Sequence, residues 1–145
     1  MKKLILLLLL FFYNFSISQN IDKDTQMILN EYANITPIDY GSLLLERVYV
    51  KNSNFYYKYS VKNCETLKRN IKNITFLETM TNAYLTLVND DEYEAKWELE
   101  TIGKNHVYFF TKYSCEDGSN SFEVRYRLNN GRFILDSNLG DLVKL

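Results

Sequence analysis

Ser121-Phe122-Glu123-Val124-Arg125-Tyr126-Arg127-Leu128-Asn129-Asn130-Gly131-Arg132-Phe133-Ile134-Leu135 is the stretch that decides the fold. Its first eight residues alternate. Phe122, Val124, Tyr126 and Leu128 fall on one side of a strand, Glu123, Arg125 and Arg127 on the other, because successive strand side chains point to opposite faces. Asn129-Asn130-Gly131 supplies the backbone of a tight hairpin turn, and Arg132 to Leu135 returns. A sheet with one apolar and one charged face must be covered on its apolar side.

Working outward, Glu116 to Asn120 reads as a loop, and His106 to Tyr113 as a strand aromatic on both faces. Gly103-Lys104-Asn105 reads as a turn before it. Glu94 to Thr101 also alternates, with Ala95, Trp97 and Leu99 against Lys96, Glu98 and Glu100. This predicts another strand, with Glu98 and Glu100 facing Arg125 and Arg127 across an antiparallel meander. Earlier in the chain, Leu43 to Val50 is aliphatic and β-branched. Phe55 to Val61 alternates, with Phe55, Tyr57, Tyr59 and Val61 opposite Tyr56, Lys58 and Ser60. The polar Lys51-Asn52-Ser53-Asn54 between them predicts a hairpin.

Two helices are predicted. Ile21 to Ala33 carries Ile21, Ile28, Leu29 and Tyr32 at helical spacing, with Asp22 or Asp24 to cap it and Asn34 and Pro37 to end it. Cys64 to Lys72 places Cys64, Leu67 and Ile71 on one face, with Asn63 as N-cap and Asn73 as a stop. Residues 74–89 stay open. Phe76 to Asn82 suits a helix, whereas Ala83 to Val88 has strand composition. Sheet plus helices makes a two-layer α+β domain, with no repeat or linker to divide it.

The N-terminus reads as an export signal. Lys2 and Lys3 precede an apolar run from Leu4 to Tyr13, and Ser16-Ile17-Ser18 gives small residues for cleavage before Gln19. The expectation is a signal peptide at 1–18 and a single domain at 19–145. The short n-region and the Gln after the cleavage site look bacterial, which makes the address periplasmic or secreted. The apolar run is shorter than the roughly 20 residues of a membrane span, so no stable span is expected in the mature chain; an uncleaved anchor is the alternative reading.

Without Lys2 and Lys3, the 17 basic residues fall to 15 against 18 acidic ones, a net charge of about −3. No cationic cluster marks a phosphate-binding face, so a nucleic-acid partner is not expected. Cys64 and Cys115, the only cysteines, read as a disulfide in an oxidising compartment. Two thiols and one histidine make no structural zinc site, and no other metal or cofactor set stands out.

Tyr126 to Leu135 resembles the final hairpin of NTF2-like domains, in which a strand, an Asn-Gly turn and a basic-aromatic-aliphatic return strand close a curved sheet. The resemblance covers the last third of the chain; a cystatin-like helix-backed sheet is the related alternative. It implies a curved antiparallel sheet of about five to six strands packed on two or three helices, in a small exported domain. In members that are enzymes, a His and a carboxylate in the cone mouth act as general acid and base. Here that role would fall to His106.

Read from the residues alone, His106 is a histidine at a strand start. Asp90, Asp91, Glu92 and Glu94 lack the alternation and glycine of a calcium loop and read as a solvated acidic segment. Asn34-Ile35-Thr36 and Asn73-Ile74-Thr75 match the glycosylation sequon, which carries no weight in a bacterial chain. The 12 tyrosines are the compositional oddity. Tyrosine fills sheets, and it also serves where one end of a ring stays wet. Tyr56, opposite Tyr57 and Tyr59, is the candidate for an exposed contact. No nucleophile elbow or assembled catalytic set is present. The expected role is a non-catalytic exported domain that binds a small ligand or an envelope protein. The alternatives are an inhibitor or immunity-type protein and an enzyme using His106 as base.

Overall fold

A computed structural model describes residues 21–142. The leader at 1–18 and its cleavage point before Gln19 lie outside the described residues. Helix α1 (Lys23–Ile35) is followed by β1 (Ile38–Asp39), β2 (Leu43–Lys51) and β3 (Asn54–Val61). Three helices come next: α2 (Cys64–Asn70), α3 (Ile74–Val88) and α4 (Lys96–Asn105). Then follow β4 (Phe109–Cys115), β5 (Ser121–Asn129), β6 (Arg132–Leu135) and the short α5 (Leu139–Leu142). The α+β class holds, with five helices among the described residues rather than two or three.

The strands form one six-stranded sheet in the order β1-β2-β3-β4-β5-β6. Every neighbouring pair is antiparallel except β3 and β4, which run parallel from Phe55↔Phe109 to Val61↔Cys115. The sheet is therefore not the uninterrupted antiparallel meander that the alternation suggested. Parallel neighbours need a long crossover, and α2, α3 and α4 supply it. The β2–β3 and β5–β6 hairpins turn through left-handed residues, Asn52 and Ser53 in one, Asn130 and Gly131 in the other, as two-residue hairpin loops require.

Glu94 to Thr101 is not a strand. Lys96–Asn105 is helical, and it buries Leu99 and Ile102 one turn apart while Trp97 faces solvent. Gly103-Lys104-Asn105 is the last turn of that helix rather than a hairpin loop. β4 accordingly starts at Phe109, not at His106. Residues 74–88 are helical throughout, with Leu77, Thr81 and Val88 buried on one stripe. Thr86, in the part with strand composition, bonds back to the Asn82 carbonyl four residues earlier, as Thr79 does to Thr75 and Thr81 to Leu77. These bonds satisfy the hydroxyls inside the helix.

Helix capping follows the sequence closely. Asp22 Oδ1 accepts from the Thr25 amide at 2.8 Å, and Asn63 accepts from the Thr66 amide at 3.0 Å. Asn73 does not stop α2; it caps the start of α3 by accepting from Phe76. Asn89, at the end of α3, donates to the Phe133 carbonyl at 2.9 Å and accepts from its amide at 2.7 Å. One side chain thus continues the hydrogen bonding of the sheet edge at β6.

The core lies between the helices and one face of the sheet. Ile28, Leu67, Leu77, Val88, Leu99 and Ile102 from the helices meet Leu45, Phe55, Tyr57, Phe109, Val124, Tyr126 and Phe133 from the strands. Burial of such side chains contributes about 1.5–3 kcal/mol each before entropy is counted. Among the described residues, no helix is long and apolar enough to cross a membrane.

Candidate functional site

The outer face of the sheet, opposite the helices, carries an aromatic row. Register sets it: Tyr49 of β2 pairs with Tyr56 of β3, Tyr56 with Phe110 of β4, and Phe110 with Arg125 of β5. The Tyr49 and Tyr56 rings stack at 4.9 Å, and the Tyr56 and Phe110 rings at 4.7 Å. Each end is closed by a guanidinium. Arg47 lies 4.8 Å over Tyr49, and Arg125 lies 4.7 Å over Tyr108, whose ring meets Phe110 edge-on. Such contacts contribute about 0.5–1 kcal/mol at exposed sites.

All three stacked rings are half-buried, and the near-parallel stacking means that neighbouring rings cover one another's faces. Beside them runs a row of charged side chains. That row holds Lys58, paired with Glu46, and Lys112, paired with Glu123 at 3.8 Å. A β-bulge between Leu45 and Arg47 lets β2 bring both Glu46 and Arg47 to this side. Tyr56, singled out from the alternation, is at the centre of the row. Burial raises the pKa of its hydroxyl, with Glu123 and Tyr49 adding to the effect. Counting outward from Asn52-Ser53 pairs residue 49 with 56, so the position of Tyr49 was within reach of the sequence. Phe110 was not, because β4 joins through a parallel pairing that the alternation does not reveal.

Glu98 and Glu100 do not face Arg125 and Arg127. Those arginines share Asp136, at 2.8 Å and 3.1 Å, and Glu100 reaches Lys104 at 3.8 Å within its own helix. Glu98 points into the core side instead. The Tyr57 hydroxyl donates to Glu98 Oε1 at 2.6 Å, and the Tyr32 hydroxyl of α1 lies near the same carboxylate. Burial raises the Glu98 pKa; the two hydroxyls oppose the rise without cancelling it. Burial and the neighbouring carboxylate likewise hold the Tyr57 and Tyr32 hydroxyls far above the ordinary phenol range. No local pattern signals this cluster, because the alternation at 95–101 puts Glu98 on the wet face of a strand.

His106 ends α4. Its Nε2 is 3.1 Å from the Thr25 hydroxyl and its Nδ1 is 3.1 Å from the Ser53 carbonyl oxygen. Its ring packs 5.7 Å from Phe55. The imidazole therefore ties α1 to the β2–β3 turn. Both ring nitrogens are engaged, and neither bonds a carboxylate, which is the partner a general base of the cone-mouth kind would need.

Cys64, first residue of α2, is joined to Cys115, last of β4, with their Cα atoms 5.2 Å apart. Asp117 lies close to both sulfurs, but the bond between the sulfurs leaves no thiolate to ligate a metal. His106, Tyr56 and the cysteine pair are not brought together. The cysteines lie where β3 and β4 end, His106 lies where they begin, and Tyr56 is on the opposite face. Of the acidic segment, Asp91 pairs with Lys96, and Asp90 accepts from the Glu92 amide in a local turn.

A cavity of about 270 Å³ opens on the helix side near the disulfide. Leu43, Val61, Tyr113 and Phe122 form its floor, Leu67, Phe76 and Met80 its roof, and Ser42, Asn63, Thr66 and Asn70 its remaining wall. No feature of the sequence pointed to it, since its walls come from four strands and two helices.

No protein-family model and no curated protein matches this chain. Among solved structures, a putative secreted protein (PA3611) from Pseudomonas aeruginosa is similar, with a TM-score of 0.54 at 11% identity, over 74% of this chain and 88% of that one. At that identity the two chains share a fold.

Proposed function

We propose that this chain is an exported, non-catalytic binding domain that engages an envelope or secreted protein through the outer face of its sheet. The observation that carries the proposal is the half-exposed stack of Tyr49, Tyr56 and Phe110, bounded by Arg47 and Arg125. Tyrosine and arginine are enriched among residues that dominate protein interfaces. An apolar row rimmed by polar groups is the usual form of such a surface. The flanking Lys58–Glu46 and Lys112–Glu123 pairs supply that rim. Export is supported by the leader pattern at 1–18, by the cysteine pairing and by the fold shared with a protein described as secreted. Kinship with NTF2-like domains is part of the proposal and rests on the β5–β6 hairpin alone.

The test is affinity capture from the native envelope with three baits: wild type, Tyr56→Ala and Phe110→Ala. The expected result is one protein retained by wild type and reduced at least tenfold by either substitution, with thermal melts close to wild type. Equal retention by all three baits, or no specific retention, would overturn the reading. Fractionation of the source cells separates a periplasmic from a secreted address.

A further inference from the structure

We infer that the cavity between α2, α3 and the end of the sheet is a binding site for an uncharged amphiphile, an apolar chain carrying a neutral hydrogen-bonding end. The floor is continuous apolar surface. Leu43 pairs with Val61 across β2 and β3, and Tyr113 pairs with Phe122 across β4 and β5, their rings stacked at 4.9 Å. Leu67 of α2 and Met80 of α3 close over it. At about 270 Å³ the space is close to the lower end of small-molecule sites.

Three observations define the occupant. First, Phe76, on the first turn of α3, lines the cavity yet leaves 38% of its surface exposed. An apolar ligand would take that ring out of water. Second, no lining residue carries a charge, and an ionised headgroup placed there would lose hydration without gaining a counterion. Of the cations close in sequence to the lining, Lys62 pairs with Asp39 at 2.7 Å and Lys68 with Glu65 at 2.9 Å, and neither Arg69 nor Lys72 lines the cavity. Third, the polar lining residues are hydroxyls and amides: Ser42, Asn63, Thr66 and Asn70. They can hydrogen-bond an alcohol, amide or ester end. The Cys64–Cys115 bond braces the arrangement, because it fixes the first residue of the roof helix α2 to the end of floor strand β4. The site lies on the helix side of the sheet, away from the aromatic row, so it stands or falls independently of that proposed surface.

The experiment titrates the purified, disulfide-bonded protein with N-phenyl-1-naphthylamine, a neutral apolar fluorophore, and competes it with 1-decanol or decanoate. The expected result is saturable one-to-one binding, displaced by 1-decanol, with decanoate at least tenfold weaker. Thr66→Glu places a charge in the lining at the third residue of α2, where a glutamate suits the helix start. It should lower probe affinity at least tenfold with an unchanged circular dichroism spectrum. Thr79→Glu, exposed on α3 and outside the lining, should bind as wild type does. Absence of saturable binding, equal effects of the two glutamates, or displacement by decanoate as strong as by 1-decanol would overturn the inference.

Discussion

Gly103 of α4 sits so close to Leu128 of β5 that a Cβ built on the glycine would lie 2.8 Å from the leucine Cβ. Phe133 Cε1 would be 3.2 Å away. The absence of a side chain at Gly103 therefore lets α4 lie directly against Leu128 and Phe133. In an open helix, alanine would be favoured over glycine by about 1 kcal/mol. Here the added methyl meets the base of a side chain, not its flexible tip, and overpacking of that kind costs about 1–3 kcal/mol. Gly103→Ala should lower the urea midpoint, and combining it with Leu128→Gly, which removes the Cβ that the new methyl meets, should cost less than the two single substitutions summed. Additive effects of the two substitutions would refute the contact.

The half-buried carboxylate of Glu98 should make stability depend on pH in a defined direction. Its pKa is raised in the folded protein, foremost by burial, so the native state holds that proton more tightly than the unfolded chain does. Below the ordinary glutamate value of about 4.3 both states are protonated. As pH rises from there through the raised native value, the cost of ionising the half-buried group appears and stability is lost. Glu98→Gln keeps an oxygen for the Tyr57 hydroxyl and removes the titration. Urea melts should show the variant gaining on wild type between pH 4 and pH 7. A difference constant with pH would refute the assignment.

The cysteine pair closes a long loop, with a sequence separation of 51. On the chain-entropy account a loop of that size stabilises by about 4 kcal/mol. Replacing both cysteines with serine should cost about 2–4 kcal/mol, read as a drop in the urea midpoint with a slope equal to or steeper than wild type, because the unbridged unfolded chain exposes more surface. In the unreduced protein, alkylation should leave the mass unchanged. Two alkylated thiols would mean that the bridge is absent.

Much of this was legible in the sequence where local chemistry is decisive. The caps Asp22 and Asn63, the hairpin around Asn52-Ser53 and the Asn130-Gly131 turn all state their structure through side chains that tolerate only a few backbone shapes. The strand faces at 55–61 and 121–128 follow from two-residue periodicity with enough repeats to be unambiguous. At 95–101 the same pattern misled. Ala95, Trp97 and Leu99 alternate, but Leu99 and Ile102 also sit a helical turn apart, and so short a window does not separate the two periods. Gly103 then looked like a turn, although its smallness serves packing against Leu128. The misread helix in turn hid the parallel β3–β4 pairing. The Glu98–Tyr57 bond and the cavity are products of that tertiary arrangement, and no local pattern encodes them. Tyr56 was legible because a strand's wet face is a local property.

The parallel pairing of β3 with β4 also divides the sheet into two locally built halves. β1 to β3 form from neighbouring chain, as do β4 to β6. Only the seam between Phe55–Val61 and Phe109–Cys115 must wait for the helical crossover to be threaded. Until it closes, each half presents an unpaired strand edge, the template on which chains stick to one another. The cysteines lie at the far end of this seam. Their oxidation would latch the two halves together once they meet, so a newly delivered chain deprived of oxidant should be lost to aggregation before it is lost to unfolding.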